Sequence, residues 1–160
     1  MALDESDDEL KTLTPEIRAM MGVFALYWKL DEGLESLNFE PQLNDQECHM
    51  IIRLDEPRRM GVMARLMLTV PSAITAAADS LEKLGYLERK RDPADRRAWL
   101  LRLTPAGWER RRQMEQTAGE LFRATSGLSP EETRVFAELA GKIHDNVMRN
   151  SFPEGLAKCE

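Results

Sequence analysis

Histidine and cysteine are scarce in this chain, two of each among 160 residues. Cys48 and Cys159 are far apart and make no disulfide framework. His49 follows Cys48 directly, and adjacent helical positions point about 100° apart, so the two do not easily share a metal. No His-x-x-x-His, Cys-x-x-Cys or phosphate-cradling glycine loop occurs. No serine or cysteine has a base and an orienting group visible beside it in sequence. Neither an enzyme nor a resident metal or cofactor is expected. No apolar run approaches the roughly 20 residues of a membrane span. The first residues, MALDESDDELK, are acidic where a secretory leader would be basic and then apolar. The expectation is a cytoplasmic protein with no membrane partner.

What is present is ordinary soluble composition, 42% hydrophobic and 31% charged, in a length that suits one domain with a real core. The net charge of −6 is unevenly divided. From Pro57 to Arg112 there are 13 Lys/Arg and 6 Asp/Glu, a local +7; the remainder holds 9 against 22, a local −13. A basic middle between acidic ends confines the attractive field for a polyanion to one lobe.

The stretch from Leu66 to Leu103 organises the rest. Ile74, Ala77, Ala78, Leu81 and Leu84 recur at the three- and four-residue steps of one helix face. Thr69 is placed to cap that helix, Pro71 falls in its first turn, and Gly85 takes the left-handed position that ends it. Tyr86–Arg91 and Ala98–Leu103 read as two strands, the second alternating Trp99, Leu101 and Leu103 with Ala98, Leu100 and Arg102. Between them lies the Asp- and Pro-rich turn 92–97, with two arginines at its exit. The outward face of the helix offers Ser72, Ala73, Thr75 and Ala76, with no acid before Asp79. Small residues at the positive end of a helix dipole suit close approach to a phosphate-lined groove. Arg89, Lys90, Arg91, Arg96 and Arg97 crowd the hairpin. A helix followed by a basic hairpin is the arrangement of a winged helix-turn-helix, with Ser72, Ala73, Thr75 and Ala76 facing the major groove of double-stranded DNA. Arg96 and Arg97 carry the wing contact, supported by Arg89 and Arg91, while Asp95 braces the arginines.

The segment ITAAADSLEKLGYLERKRDPADRRAWLLRLTPAG resembles the recognition helix and wing of MarR-type transcriptional regulators. The likeness lies in the helix exit LEKLGYLERK, the wing DPADRR and the run LRLTPAG leading to the next helix. It extends over about residues 10 to 150. At Pro71 and Ala76 many relatives carry larger polar or basic residues, so this helix offers fewer long side chains to base edges.

The flanking segments fit a mainly α fold with a small β wing. Residues 1–10 form an acidic tail expected to be disordered. A single MarR-like domain is expected over 11–160, with the DNA-binding lobe at about 43–103 and dimerisation helices at about 14–37 and 104–150. Asn44 with Glu47 is a weak capping-box pattern for a helix running to Leu54. Arg58 and Arg59 suit a short strand beside the wing, and Met60–Met67 the first helix of the helix-turn-helix. Thr104-Pro105 starts a long helix. Ser129-Pro130-Glu131-Glu132 is the cleanest cap, opening a helix whose stripe is Val135, Phe136, Leu139, Ile143, Val147 and Met148. That stripe and part of the first helix have no obvious cover within a small lobe, which predicts a homodimer; the resemblance implies the same dimer.

The resemblance also implies a small aromatic or apolar effector, for which Met20, Phe24, Tyr27, Trp28, His49 and Ile52 are candidate lining. Such residues at helical spacing are more often core. Cys48 has two readings. It is a redox-sensing thiol if an early-helix position lowers its pKa, or a small buried apolar residue. The reading that follows is a ligand-responsive repressor, dimeric on a pseudo-palindromic operator. A thiol-based redox regulator using Cys48 and a winged-helix protein-interaction module remain the alternatives.

Overall fold

A computed structural model describes residues 12–35 and 40–149. The acidic tail 1–10, the expected helix end at Leu37 and the Cys159 tail lie outside the described residues. The elements in order are α1 (Pro15–Glu35), α2 (Asp45–Arg53), β1 (Arg58–Arg59), α3 (Met60–Leu66), α4 (Pro71–Lys83), β2 (Leu87–Arg91), β3 (Trp99–Leu103), α5 (Pro105–Ser126) and α6 (Pro130–Arg149). The fold is mainly α with one antiparallel sheet in the order β1-β3-β2. The described residues fall into two compact units. One holds α1 with residues 118–127, the other residues 40–117 and 128–149.

The second unit contains the winged lobe. The Asn44 side chain accepts from the Glu47 backbone N–H at 3.0 Å, and the Glu47 carboxylate accepts from the Asn44 N–H at 2.9 Å. Two donors that α2 leaves without helical partners are thus satisfied reciprocally. Between α3 and α4 the chain turns through Leu68, whose φ of 49° is left-handed. Thr69 does not cap α4 as expected. The extended N-cap position falls instead on Val70, with no side-chain cap bond, and the Thr69 N–H closes the preceding turn on Ala64 O at 3.0 Å. Pro71 at the first helical position removes one of the donors a cap would serve. At the other end Gly85 has φ 77°, and Tyr86 N–H reaches back to Leu81 O at 2.9 Å, the Gly-terminated stop that the sequence signals.

Strand β3 is the centre of the sheet. Leu87 to Arg91 pair with Leu103 to Trp99, and Arg58 and Arg59 pair with Leu101 and Leu100. One face of that sheet closes a core of Met50, Ile51, Leu54, Met63, Ile74, Ala78, Leu81, Leu87 and Leu101, each 2% exposed or less. Burying side chains of this size stabilises by about 1.5–3 kcal/mol each before chain entropy is counted. Helix α5 is locked to the lobe at its start. Thr104 Oγ donates to Gly85 O at 2.6 Å and accepts from Gly107 N–H at 3.1 Å. Gly107 passes so near Tyr86 that a Cβ there would lie 2.0 Å from the Tyr86 carbonyl oxygen.

Helix α6 opens on the expected cap, with Ser129 N–H and Oγ–H both donating to the Glu132 carboxylate at 2.9 and 2.7 Å. It buries no residue, and Val135, Leu139, Ile143 and Val147 are 45 to 62% exposed. In the other unit Gly33 permits close approach of α1 to Leu121, whose methyls would come within 2.8 Å of a Cβ. The opposite side of α1 is open. Ile17, Met20, Met21, Val23, Phe24, Tyr27 and Trp28 are 43 to 70% exposed.

Candidate nucleic-acid interface

Helix α4 buries Ile74, Ala77, Ala78 and Leu81, which turns Ser72, Thr75 and Ala76 to solvent and leaves Ala73 half-buried. The exposed face is therefore small and uncharged through its first two turns, and its acids begin at Asp79. The Thr75 hydroxyl donates back to Pro71 O at 3.0 Å.

The hairpin sorts its cations into two kinds. Arg89 faces back across α4 and pairs with Asp79 at 2.5 Å and with Glu82. Burial opposes its charge, but the two carboxylates prevail and hold its pKa up. Arg91 lies over the Trp99 ring, 4.0 Å from its centroid, and donates to Arg96 O at 2.9 Å. Lys90 lies 3.8 Å from Glu88. Arg96 and Arg97 are exposed, and among the described residues no carboxylate pairs with either guanidinium. The charge count overstates what the wing presents, because carboxylates on neighbouring strands and helices neutralise part of it.

The turn itself is built by its two aspartates. Asp92 is buried. Its Oδ1 accepts from Ala94 N–H at 2.8 Å and its Oδ2 from Arg59 Nε and Nη2 at 2.8 and 2.6 Å. The Ala94 N–H first, and Arg59 second, hold its carboxyl below the usual range. Asp95 Oδ1 accepts from Arg97 N–H at 3.1 Å, and Asp95 Oδ2 lies 3.9 Å from Arg59 Nη1. Asp95 therefore shapes the backbone that carries Arg97.

Two residues outside the DNA-contact set expected from sequence belong to this surface. Arg59 has no local signal, because its partner lies 33 positions away. Arg65 ends α3 and is exposed, with no carboxylate paired to it among the described residues. It lines an open hollow of about 510 Å³ with Gly61, Ala64, Leu68, Thr69, Pro71 and Met148. Its position one turn before α4 was the available clue.

The remaining candidates separate. Met20, Phe24, Tyr27 and Trp28 lie exposed on α1, while His49 and Ile52 are exposed on α2 in the other unit. Cys48 is half-buried, and burial first, then Asp45, pushes its thiol up. The lowering that the redox-sensing reading needs is thus absent, first because of burial and then because the first turn of α2 is acidic at Asp45 and Glu47. A raised thiol carries less of the nucleophilic thiolate at neutral pH.

With this geometry in place, a family model described as MarR family matches residues 49–98. Over 77 residues the chain is 35% identical to an uncharacterized HTH-type transcriptional regulator, YkoM, of Bacillus subtilis. That match spans 48% of this chain and half the length of the relative. Among solved structures, wild-type apo MarR from E. coli superposes with a TM-score of 0.59 at 23% identity, covering 82% of this chain and 96% of that one. BpsR of Bordetella bronchiseptica, whose DNA binding is regulated by 6-hydroxynicotinic acid, gives 0.60 at 19%, covering 79% and 98%. At these identities the two structures speak for the fold.

Proposed function

We propose that the chain is a MarR-type winged helix-turn-helix protein, as the family match over residues 49–98 and the likeness to an HTH-type regulator support, and that it is a sequence-specific DNA-binding transcriptional regulator, a homodimeric repressor whose operator affinity falls when a small aromatic ligand binds. The observation that carries this reading is the pairing of the small, uncharged outer face of α4 with a wing tip whose Arg96 and Arg97 are left without carboxylate partners among the described residues. A helix of that face width enters a major groove, and two unpaired guanidinia on a hairpin reach phosphate or the adjoining minor groove. Arg65, before the helix, is the third cation we assign to the DNA backbone.

The homodimer is supported by the exposed apolar faces of α1 and α6, which a second copy of the chain would cover. Twofold symmetry then sets two copies of α4 against half-sites about one helical turn apart. The ligand class is that named for BpsR, and a ligand of this kind weakens binding by preferring the conformation that does not fit DNA.

Selection from a random duplex pool, followed by fluorescence anisotropy at two salt concentrations, tests the reading. The wild type is expected to recover a palindromic motif. The Arg96→Ala/Arg97→Ala variant is expected to bind it far more weakly, with a salt slope smaller by about 0.9 for each phosphate no longer neutralised. Release of the duplex on titration with 6-hydroxynicotinic acid tests the ligand class. Equal, weak and motif-free binding by both proteins would overturn the proposal.

A further inference from the structure

The wing carries two carboxylates, Asp92 and Asp95, in the loop that the proposed function sends toward a polyanion. Coulomb's law alone makes both of them liabilities there. The structure gives them a counterweight from outside the hairpin. Arg59, on the two-residue edge strand β1, grips Asp92 Oδ2 through two donors at 2.8 and 2.6 Å and stands 3.9 Å from Asp95. Asp92 in turn holds the turn backbone. Its other oxygen takes the Ala94 N–H, and its own N–H closes the hairpin on Ala98 O at 3.0 Å. The backbone path from Asp92 to Ala98 is the segment that carries Arg96 and Arg97. It is thus tied to the lobe by one charge-assisted contact across 33 positions of sequence.

We propose that Arg59 is a positioning residue for DNA binding, and that its clamp on Asp92 sets the wing so that Arg96 and Arg97 reach the duplex. This rests on the DNA-binding reading above. It makes a counter-intuitive demand: neutralising an acid beside DNA weakens binding, because the clamp matters more than the relief of repulsion. It also separates Arg59 from a direct phosphate ligand, since a ligand would be released for duty when Asp92 is removed.

A double-mutant cycle on the full chain tests it, using Asp92→Asn, Arg59→Gln and the pair, with affinity for the selected duplex and backbone amide exchange of the free protein as readouts. Each single variant is expected to bind about tenfold more weakly and the pair no worse than either, the signature of one shared interaction. The Ala98 amide, which closes the turn by donating to Asp95 O at 2.8 Å, is expected to exchange faster in all three variants, while the amides of Ile74 and Leu81 on α4 stay protected, showing the fold intact. Binding by Asp92→Asn as tight as wild type, multiplication of the two losses, or an unchanged Ala98 amide would each overturn the clamp. Failure of the DNA reading is seen separately, as unchanged affinity in Arg96→Ala/Arg97→Ala while the Ala98 amide of Asp92→Asn still exchanges faster.

Discussion

The winged lobe and helix α6 share a unit and are finished to different degrees. In the lobe, α2, α3, α4 and the sheet cover one another, and their large apolar side chains reach zero exposure. Helix α6 has an equally regular apolar stripe and a better N-terminal cap than α4, yet it buries nothing. Local signals therefore make a helix without making it part of a core. The lobe's stability comes from packing within one chain, whereas the stripe of α6 is apolar surface still to be covered. Four variants sharpen or break that contrast, ranked by their effect on folding of the lobe.

Leu81→Ala removes a fully buried side chain between α4 and the rest of the core. It is expected to cost about 2–5 kcal/mol in urea unfolding. Gly107→Ala forces a methyl against the Tyr86 carbonyl, and about 1–3 kcal/mol should be lost with a matching fall in Tm. Leu68→Gly relieves a left-handed φ at a side chain 73% exposed, so a gain of about 0.5–1 kcal/mol is expected from the same denaturation curves. Leu139→Lys with Ile143→Lys alters the exposed stripe. Lobe unfolding should move by about 0.5 kcal/mol or less, while sedimentation should show a monomer in place of the proposed dimer. A large folding penalty from the last pair, with assembly unchanged, would break the contrast by making α6 part of the lobe's own core.

Much of the lobe was legible because its signals are local. The periodicity of α4, its stop at Gly85 and the Ser129 cap each depend on residues within a turn or two. The pieces that escaped depend on distance through space. Arg89 looks like a free wing cation until α4 folds back and brings Asp79 and Glu82 to it. The early-helix position of Cys48 suggested a lowered pKa, but burial and Asp45 raise it. Thr69 looks like a cap until the turn through Leu68 places Val70, not Thr69, at the N-cap position. Sequence spacing reports which charges exist; only packing reports which remain unpaired.

The Thr75 hydroxyl, turned back on Pro71, has a consequence for what a duplex would experience. Its one proton is spent inside the helix, so outwardly Thr75 is an acceptor beside a methyl group. Such a group answers the exocyclic amines of adenine and cytosine and the methyl of thymine, and has nothing to offer the N7 and O6 acceptors of guanine. With alanines at 73 and 76, the side-chain donors of the exposed first turns of α4 come down to the short hydroxyl of Ser72. Under the proposed function, an operator is then chosen chiefly by the contour of its grooves and the ease with which it bends between the two wings.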